Sequence, residues 1–352
     1  HLSRYIRDGL ARPYRPRRFY RALAQTLHFS YMVFFCIPVL APLAMRSFLA
    51  GMIGRRFITA GLSPEQRHQG PTFVADAGNG LKIYRANFLQ ALASPARDRF
   101  VDVPVQLLVN TDDPFVRPYV YDDTPRWVSR LWRRDIRSGH WLPMSHPQVV
   151  ASAVSELVDH LRGAPAARAL LRAEIGRPRK PFGDNLVVVT GAGSGIGRAT
   201  ASAFAAEGAE VVVCDVDEVG LKSTVTTITG RGGVAHSYLV DVADADAVER
   251  FAEQVCAAHG VPDIVVNNAG IGVAGAFLDT PAEQFDRVLE VNLGGVVNGC
   301  RSFAHRLVQR GTGGHIVNVA SMAAYAPLSS LSAYCTSKAA VYMFSDCLRA
   351  EL

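Results

Sequence analysis

The 352-residue chain is long enough for two domains with separate cores. With 49% hydrophobic and 19% charged residues, it is not an intrinsically disordered polymer. A net charge of +6 raises the question of nucleic acid, but much of the excess sits in Arg4, Arg7, Arg12, Arg15, Arg17, Arg18 and Arg21 without any nucleic-acid motif, so a solvated basic face is expected.

The cysteines Cys36, Cys214, Cys256, Cys300, Cys335 and Cys347 form no C-x-x-C pair and show no ligand spacing. They read as reduced, mostly buried small hydrophobes, which suits a cytoplasmic compartment, and no metal site is expected. The first residue is His rather than Met and no signal peptide is visible, so the sequence reads as a fragment of a longer chain.

The longest uncharged stretch is 29–45, directly after the arginine-rich segment. It is short for a membrane span and carries Pro38 and Pro42, so a buried or interfacial segment is expected, with peripheral membrane contact as the membrane reading. Within it, Tyr31-Met32-Val33-Phe34-Phe35-Cys36-Ile37-Pro38, together with the later Ile83-Tyr84-Arg85-Ala86-Asn87, resembles the two lid segments of epoxide hydrolases of the α/β-hydrolase family. That resemblance implies that Tyr31 and Tyr84 hydrogen-bond the epoxide oxygen, two O–H donors serving as oxyanion hole and proton source. Taken singly, each tyrosine also fits an amphipathic aromatic half-buried in a helix.

Residues 102–114 read as an apolar strand ending in Asp112 and Asp113. Ser138-Gly139-His140-Trp141-Leu142-Pro143 then leads into a helix over 147–161, with Val150, Val154, Leu157, Val158 and Leu161 at helical spacing. This order resembles the end of an α/β-hydrolase domain, which implies that Asp113, or alternatively Asp112, orients His140 as the base that activates water. In that family the nucleophile precedes the lid and is therefore expected before His1. The resemblance covers residues 1–162, with the lid over 1–95 and the acid–histidine segment over 100–162. Pro, Gly and like charge across 163–181 read as an exposed linker, with the boundary near residue 180.

From residue 182 strand and helix patterns alternate, predicting a Rossmann-like, doubly wound parallel sheet over 182–352. Leu186 to Val189 form a short β-branched run. It is followed by Thr190-Gly191-Ala192-Gly193-Ser194-Gly195-Ile196-Gly197 and an Ala-rich helical stretch, in the manner of a dinucleotide-binding βαβ unit. Gly191, Ser194, Gly195, Ile196 and Gly197 are expected to line the pyrophosphate, where free N–H groups of the helix start face it. Glu210 to Asp215 form the second strand. A carboxylate at Asp215 can accept both ribose hydroxyls of NAD and repels the extra phosphate of NADP, so NAD is the expected cofactor; a helix N-cap is the alternative role. A third strand over 235–240 leads to Asp241-Val242, and a fourth ends in Asn267-Asn268-Ala269-Gly270. The Asn pair is expected to tie neighbouring strands, and Gly270 to permit close approach of the cofactor.

Asn292 lies within a long helical stretch, His315 to Ser321 form a fifth strand, and Tyr334 and Lys338 share one helix face. In this order the motifs closely resemble the short-chain dehydrogenase/reductase family. The resemblance implies that Tyr334 exchanges a proton with the substrate oxygen and that Lys338 lowers its pKa, ordinarily near 10, and binds the nicotinamide ribose. It further implies that Ser321 holds the substrate oxygen, Asn292 holds a relay water, Asp241 and Val242 flank the adenine, and Asn268 belongs to the cofactor site. Homo-oligomers, and a substrate-covering loop and two further strands beyond Leu352, are likewise implied. The reading is an NAD-dependent oxidoreductase for the alcohol or carbonyl of an apolar, lipid-like small molecule, in a fused protein with epoxide hydrolase activity. The alternative is an epoxide hydrolase alone, with the reductase half a cofactor-binding regulatory or scaffold module.

Overall fold

Residues 2–46, 62–66, 70–93 and 100–352 are described by the computed structural model. The chain divides into two units, His1–Gly176 and Arg177–Leu352. In the first, helices α1 (Leu2–Leu10), α2 (Pro16–His28), α3 (Ser30–Cys36), α4 (Leu40–Arg46) and α5 (Phe73–Ala93) precede the parallel strands β1 (Val105–Asn110) and β2 (Leu131–Ile136). Helices α6 (Pro147–Leu161) and α7 (Arg168–Ala173) follow. Pro16 and Pro147 open their helices where an N–H has no intrahelical partner in any case.

The apolar stretch 29–45 is broken at Pro38, because the residue before a proline is pushed out of the helical region, and Ile37 is extended there. Phe29 and Ala41 are buried, but Val33, Val39 and Leu43 are exposed, so the stretch is only partly the buried segment expected from its composition. Among the described residues no helix is long and apolar enough to cross a membrane. The basic segment is not uniformly solvated either: Arg18 pairs with Asp123 and lies over the Tyr5 ring, and Arg21 lies over Tyr119.

Helix α6 has the expected extent and a shifted face. Val149 and Ala153 are buried, whereas Val154 and Leu161 are exposed; the small Ala153 lets the helix sit close to its neighbours. The expected linker needs a correction over 163–176. There α7 buries Leu170 and Ala173 against Trp132, and Glu174 bridges to the same tryptophan's backbone. Leu170 and Ala173, three apart on one helical face, outweigh the flanking prolines and arginines that suggested an open joint.

The second unit holds a five-stranded parallel sheet in the order β5-β4-β3-β6-β7, where β3 is Leu186–Thr190, β4 Glu210–Asp215, β5 Val234–Leu239, β6 Ile264–Asn267 and β7 His315–Asn318. Helices α8 (Gly195–Ala206), α9 (Glu218–Thr229), α10 (Ala245–His259), α11 (Ala282–Leu289), α12 (Gly295–Arg310) and α13 (Ser332–Glu351) complete it. Every residue of β3 is buried, as a central strand covered on both faces requires. Leu186, Val188, Val212 and Cys214 pack with Phe251 and Phe303 of α10 and α12. On the opposite face Val187, Val189, Val211 and Val213 pack with Ala201, Leu221 and Ile228 of α8 and α9. The chain runs outward from β3 through β4 to β5 on one side and then crosses back to β6 on the other, so loops diverge at the carboxyl ends of β3 and β6 and open a crevice there.

Between α11 and α12, Glu290–Gly294 forms one π-helical turn, where the sequence pattern suggested an uninterrupted helix. The cysteines carry no disulfide, but only Cys214 and Cys300 are buried, and Cys347 is exposed; the expectation of mostly buried thiols is corrected accordingly.

Candidate active sites

The glycine loop leaves β3 with Gly191 at a φ of +64°, and a Cβ there would fall 2.6 Å from the Cα of Ala269. Gly197 lies closer still to its neighbours: a Cβ would meet the Gly191 carbonyl oxygen at 2.1 Å and the Asn268 amide nitrogen at 2.6 Å. Asn268 pins this turn, donating its side-chain amide to the carbonyls of Thr190 (2.9 Å) and Gly191 (3.2 Å), while its N–H donates to the Thr190 hydroxyl. Its partner Asn267 instead reaches across the sheet to Asn318 at 2.8 Å. Ser194 is extended ahead of α8, and Ile196 is exposed.

Asp215 closes the crevice from β4. One carboxylate oxygen accepts from the Gly193 N–H at 2.8 Å and the other from the Asp217 N–H at 3.0 Å. The cap of α9 is Asp217, which accepts from Gly220, and not Asp215. Arg198 turns its guanidinium back onto the Gly193 carbonyl and the Thr224 hydroxyl. Asp241 accepts from the Ala243 N–H and from Arg287 at 2.7 Å. Burial opposes its charge, but those two partners together hold the carboxyl below its ordinary range. Val242 is buried against Gly295, and its carbonyl accepts from Asn298.

Asn292, fully buried in the π turn, accepts from the Ile271 N–H at 2.8 Å and donates to the Ile271 carbonyl and the Ser337 hydroxyl, both at 2.9 Å. Its amide thus holds protein groups rather than solvent. Ser321 caps the short turn after β7, its hydroxyl accepting from the Ala323 N–H at 3.1 Å. From α13, Lys338 lies 4% exposed, donates to the Val319 carbonyl at 2.8 Å and stands 5.8 Å from the centre of the Tyr334 ring. Burial lowers the lysine pKa. Gly270 faces this pair: a Cβ there would lie 3.2 Å from the Asn292 amide oxygen and 3.4 Å from the Lys338 ammonium. Arg287 is a supporting residue that the motifs did not single out, because its partner Asp241 lies 46 positions away in the chain.

The first unit gathers a separate cluster. Asp113 follows β1 and His140 follows β2, and their side chains meet at 2.9 Å between a carboxylate oxygen and Nδ1. The other oxygen of Asp113 accepts from the N–H groups of Phe115 (2.7 Å) and Val116 (3.2 Å). Burial opposes the charge of Asp113, but these bonds outweigh it and hold its pKa below the ordinary value. Asp112, the alternative acid, faces Arg137 at 3.6 Å on the exposed side. The Phe115 ring stacks edge-on to His140 at 4.9 Å and to Tyr31 at 5.5 Å. Phe35 bridges Tyr31 and Tyr84, 5.3 Å from each. Burial, with Tyr84 and Asp113 adding to it, pushes Tyr31 up to about 12. Tyr121, unremarked in the sequence, is also raised by burial and by Asp113.

Comparison with known proteins shows the family of the second unit. Residues 185–352 match the short chain dehydrogenase family model. Over its whole length the chain is 63% identical to the Mycobacterium tuberculosis protein named "Probable oxidoreductase EphD", of which it covers 60%. A D-threitol dehydrogenase of Mycolicibacterium smegmatis is 38% identical over 166 residues, 47% of this chain and 64% of that protein. Among solved structures, a Burkholderia phymatum short chain dehydrogenase/reductase in complex with NAD is 36% identical, covering 49% of this chain and 61% of that one at a TM-score of 0.48. The C-terminal half of the chain, residues 185–352, belongs to the short-chain dehydrogenase/reductase family of oxidoreductases.

Proposed function

We propose that residues 182–352 carry out NAD-dependent hydride transfer between a secondary alcohol and its carbonyl on an apolar small molecule. The observation that carries this is Lys338, buried to 4% exposure yet aimed beside the Tyr334 ring and Gly270. A buried ammonium costs free energy unless it is hydrogen-bonded, and the Val319 carbonyl holds it here beside the Tyr334 ring. The loop fits a dinucleotide: Gly197 has no room for a side chain, and around Gly195, at a φ of +51°, nothing lies within 4 Å of a Cβ position. Gly191 to Gly197 would hold the pyrophosphate, Asp215 the adenosine ribose, Asp241 and Val242 the adenine, and Lys338 the nicotinamide ribose. A bound nicotinamide supplies or accepts the hydride.

The residues of the chain handle the proton. Tyr334 passes it to or from the substrate oxygen at its Oη, with the Lys338 ammonium beside its ring. Ser321, whose oxygen already accepts from Ala323, has its O–H to give to the same substrate oxygen. Since the Asn292 amide is engaged, a relay water falls to its main-chain carbonyl, where the π turn widens the helix. With Asp215 at the ribose and Arg198 committed to Gly193 and Thr224, NADH is preferred over NADPH. Replacing Tyr334 by Phe is expected to abolish oxidation of long-chain secondary alcohols while fluorescence-detected NADH binding persists. Retained turnover would sink this assignment and favour a cofactor-binding module without chemistry.

A second activity is favoured by the 2.9 Å contact of Asp113 with His140 beside Tyr31 and Tyr84. In the longer protein we read these as the water-activating and oxygen-binding residues of an epoxide hydrolase, with Asp113 orienting His140. Epoxide opening by full-length protein, lost in His140→Gln and unaffected by Tyr334→Phe, is the expected result.

A further inference from the structure

Two histidines and a glutamate, far apart in the chain, meet at the end of the sheet opposite the glycine loop. Glu210 begins β4, His236 lies on the adjacent edge strand β5, and His259 ends α10. Five residues separate Glu210 from Asp215 along β4, a distance of about 17 Å at strand rise, so the cluster is remote from the dinucleotide crevice. Residues 210 and 212 share a face of β4, and Val212 pairs with His236. Glu210, His236 and Tyr238 therefore all point to the side covered by α10.

We propose that Glu210, His236 and His259 form a binding site for a divalent transition metal of the zinc type. One Glu210 oxygen lies 3.1 Å from His236 Nε2 and 3.3 Å from His259 Nδ1, and one ligand atom from each residue lies within 4.8 Å of the other two. At Zn–N and Zn–O lengths near 2.1 Å, tetrahedral ligand atoms stand about 3.4 Å apart, a spacing that both Glu210–histidine distances already approach. The support behind the ligands is also in place. Tyr238 Oη lies 3.0 Å from His259 Nε2, which can donate to it and leave Nδ1 as the lone-pair nitrogen facing Glu210. The two imidazoles stack with centroids 4.1 Å apart, and Tyr238 is held against Phe251.

The site is reachable from solvent. His236 is 36% exposed, Glu210 21% and His259 12%, which suits three protein ligands and a solvent molecule in the fourth position. Imidazole with one carboxylate selects zinc, cobalt or nickel over magnesium. The ion would clamp the edge strand β5 and the end of α10 to β4, a stabilising rather than a catalytic role.

The test is titration of the whole chain with Co²⁺ as a spectroscopic probe, followed by Zn²⁺ displacement and melting curves with Zn²⁺ or Mg²⁺. Saturable one-to-one binding with a tetrahedral Co²⁺ spectrum, displaced by Zn²⁺, is expected. A rise in melting temperature with Zn²⁺ but not Mg²⁺ should accompany it. His236→Gln, on the exposed edge, and His259→Gln should each lose the spectrum and the stabilisation while keeping the parental circular dichroism. Should one variant fail to fold, the other still decides. No Co²⁺ spectrum, or one unchanged in both variants, overturns the site. NADH binding should be the same with and without Zn²⁺, so failure here is separable from failure of the oxidoreductase reading.

Discussion

Gly197→Ala tests whether the glycine loop is held by atomic contact or only by chain flexibility. The added methyl would fall 2.1 Å from the Gly191 carbonyl oxygen and 2.7 Å from its carbon, both backbone atoms, and 2.6 Å from the Asn268 amide nitrogen. Helix α8 must then move away from the loop, an overpacking cost of about 1–3 kcal/mol. The Asn268 bond to the Gly191 carbonyl is lost as well, at about 1 kcal/mol. Alanine's better helix propensity returns about 1 kcal/mol, leaving a net loss of about 1–3 kcal/mol. Urea unfolding should show that loss, and NADH affinity should fall at least tenfold because the displaced helix start carries the phosphate-facing N–H groups. Gly195→Ala is the internal control. No atom lies within 4 Å of its Cβ position, so only its φ of +51° is penalised, by about 1–2 kcal/mol. Equal stability and NADH affinity in Gly197→Ala and the parent would refute the contact argument.

Asp113→Asn should destabilise the protein at neutral pH, and the difference should vanish in acid. The folded-state pKa lies below the ordinary 3.8, so this contribution is complete above that value and is lost as pH falls through the folded value; urea midpoints between neutral pH and pH 3 would check it. Asn292→Ala leaves the Ile271 N–H without its acceptor and should cost about 1–3 kcal/mol in chemical unfolding, with turnover falling alongside. Lys338→Met should remove turnover while leaving circular dichroism unchanged. Because burial lowers the lysine pKa below 10.5, the folded state holds its proton less tightly than the unfolded one. The stability of the parent relative to Lys338→Met should therefore rise as pH increases toward 10.5.

The parallel sheet was legible because β3, β4 and β6 are short apolar runs, and because the glycine-rich turn from Gly191 to Gly197 stands between a strand and a helix pattern. The helix over 147–161 was equally plain, but its buried face was not: Val154 is apolar and exposed, while the small Ala153 packs inside. Pattern alone does not tell which of two adjacent stripes meets the neighbour. The choice between Asp112 and Asp113 likewise needed geometry, since only the second reaches a histidine 27 positions away. Residues 163–176 misled because composition registers prolines and arginines more strongly than one buried leucine. The meeting of Glu210, His236 and His259 follows from strand order, which no local pattern contains.

The π turn at Glu290–Gly294 also sets the rotational phase of everything that follows it. A π turn accommodates one more residue than an α-helical course would. Were the same residues wound as a plain α-helix, α12 would be rotated by about 100° and pushed on by about 1.5 Å. Gly295 would leave Val242, and Gly299, where a Cβ would stand 2.2 Å from the Asn267 amide oxygen, would be replaced there by a residue with a side chain. The extra residue thus acts as a spacer between two tasks on one rod: seating Asn292 beside Ile271 and presenting a glycine edge to the sheet. Substitutions that drive the turn into a plain α-helix should accordingly cost more than those that leave the extra residue in its bulge.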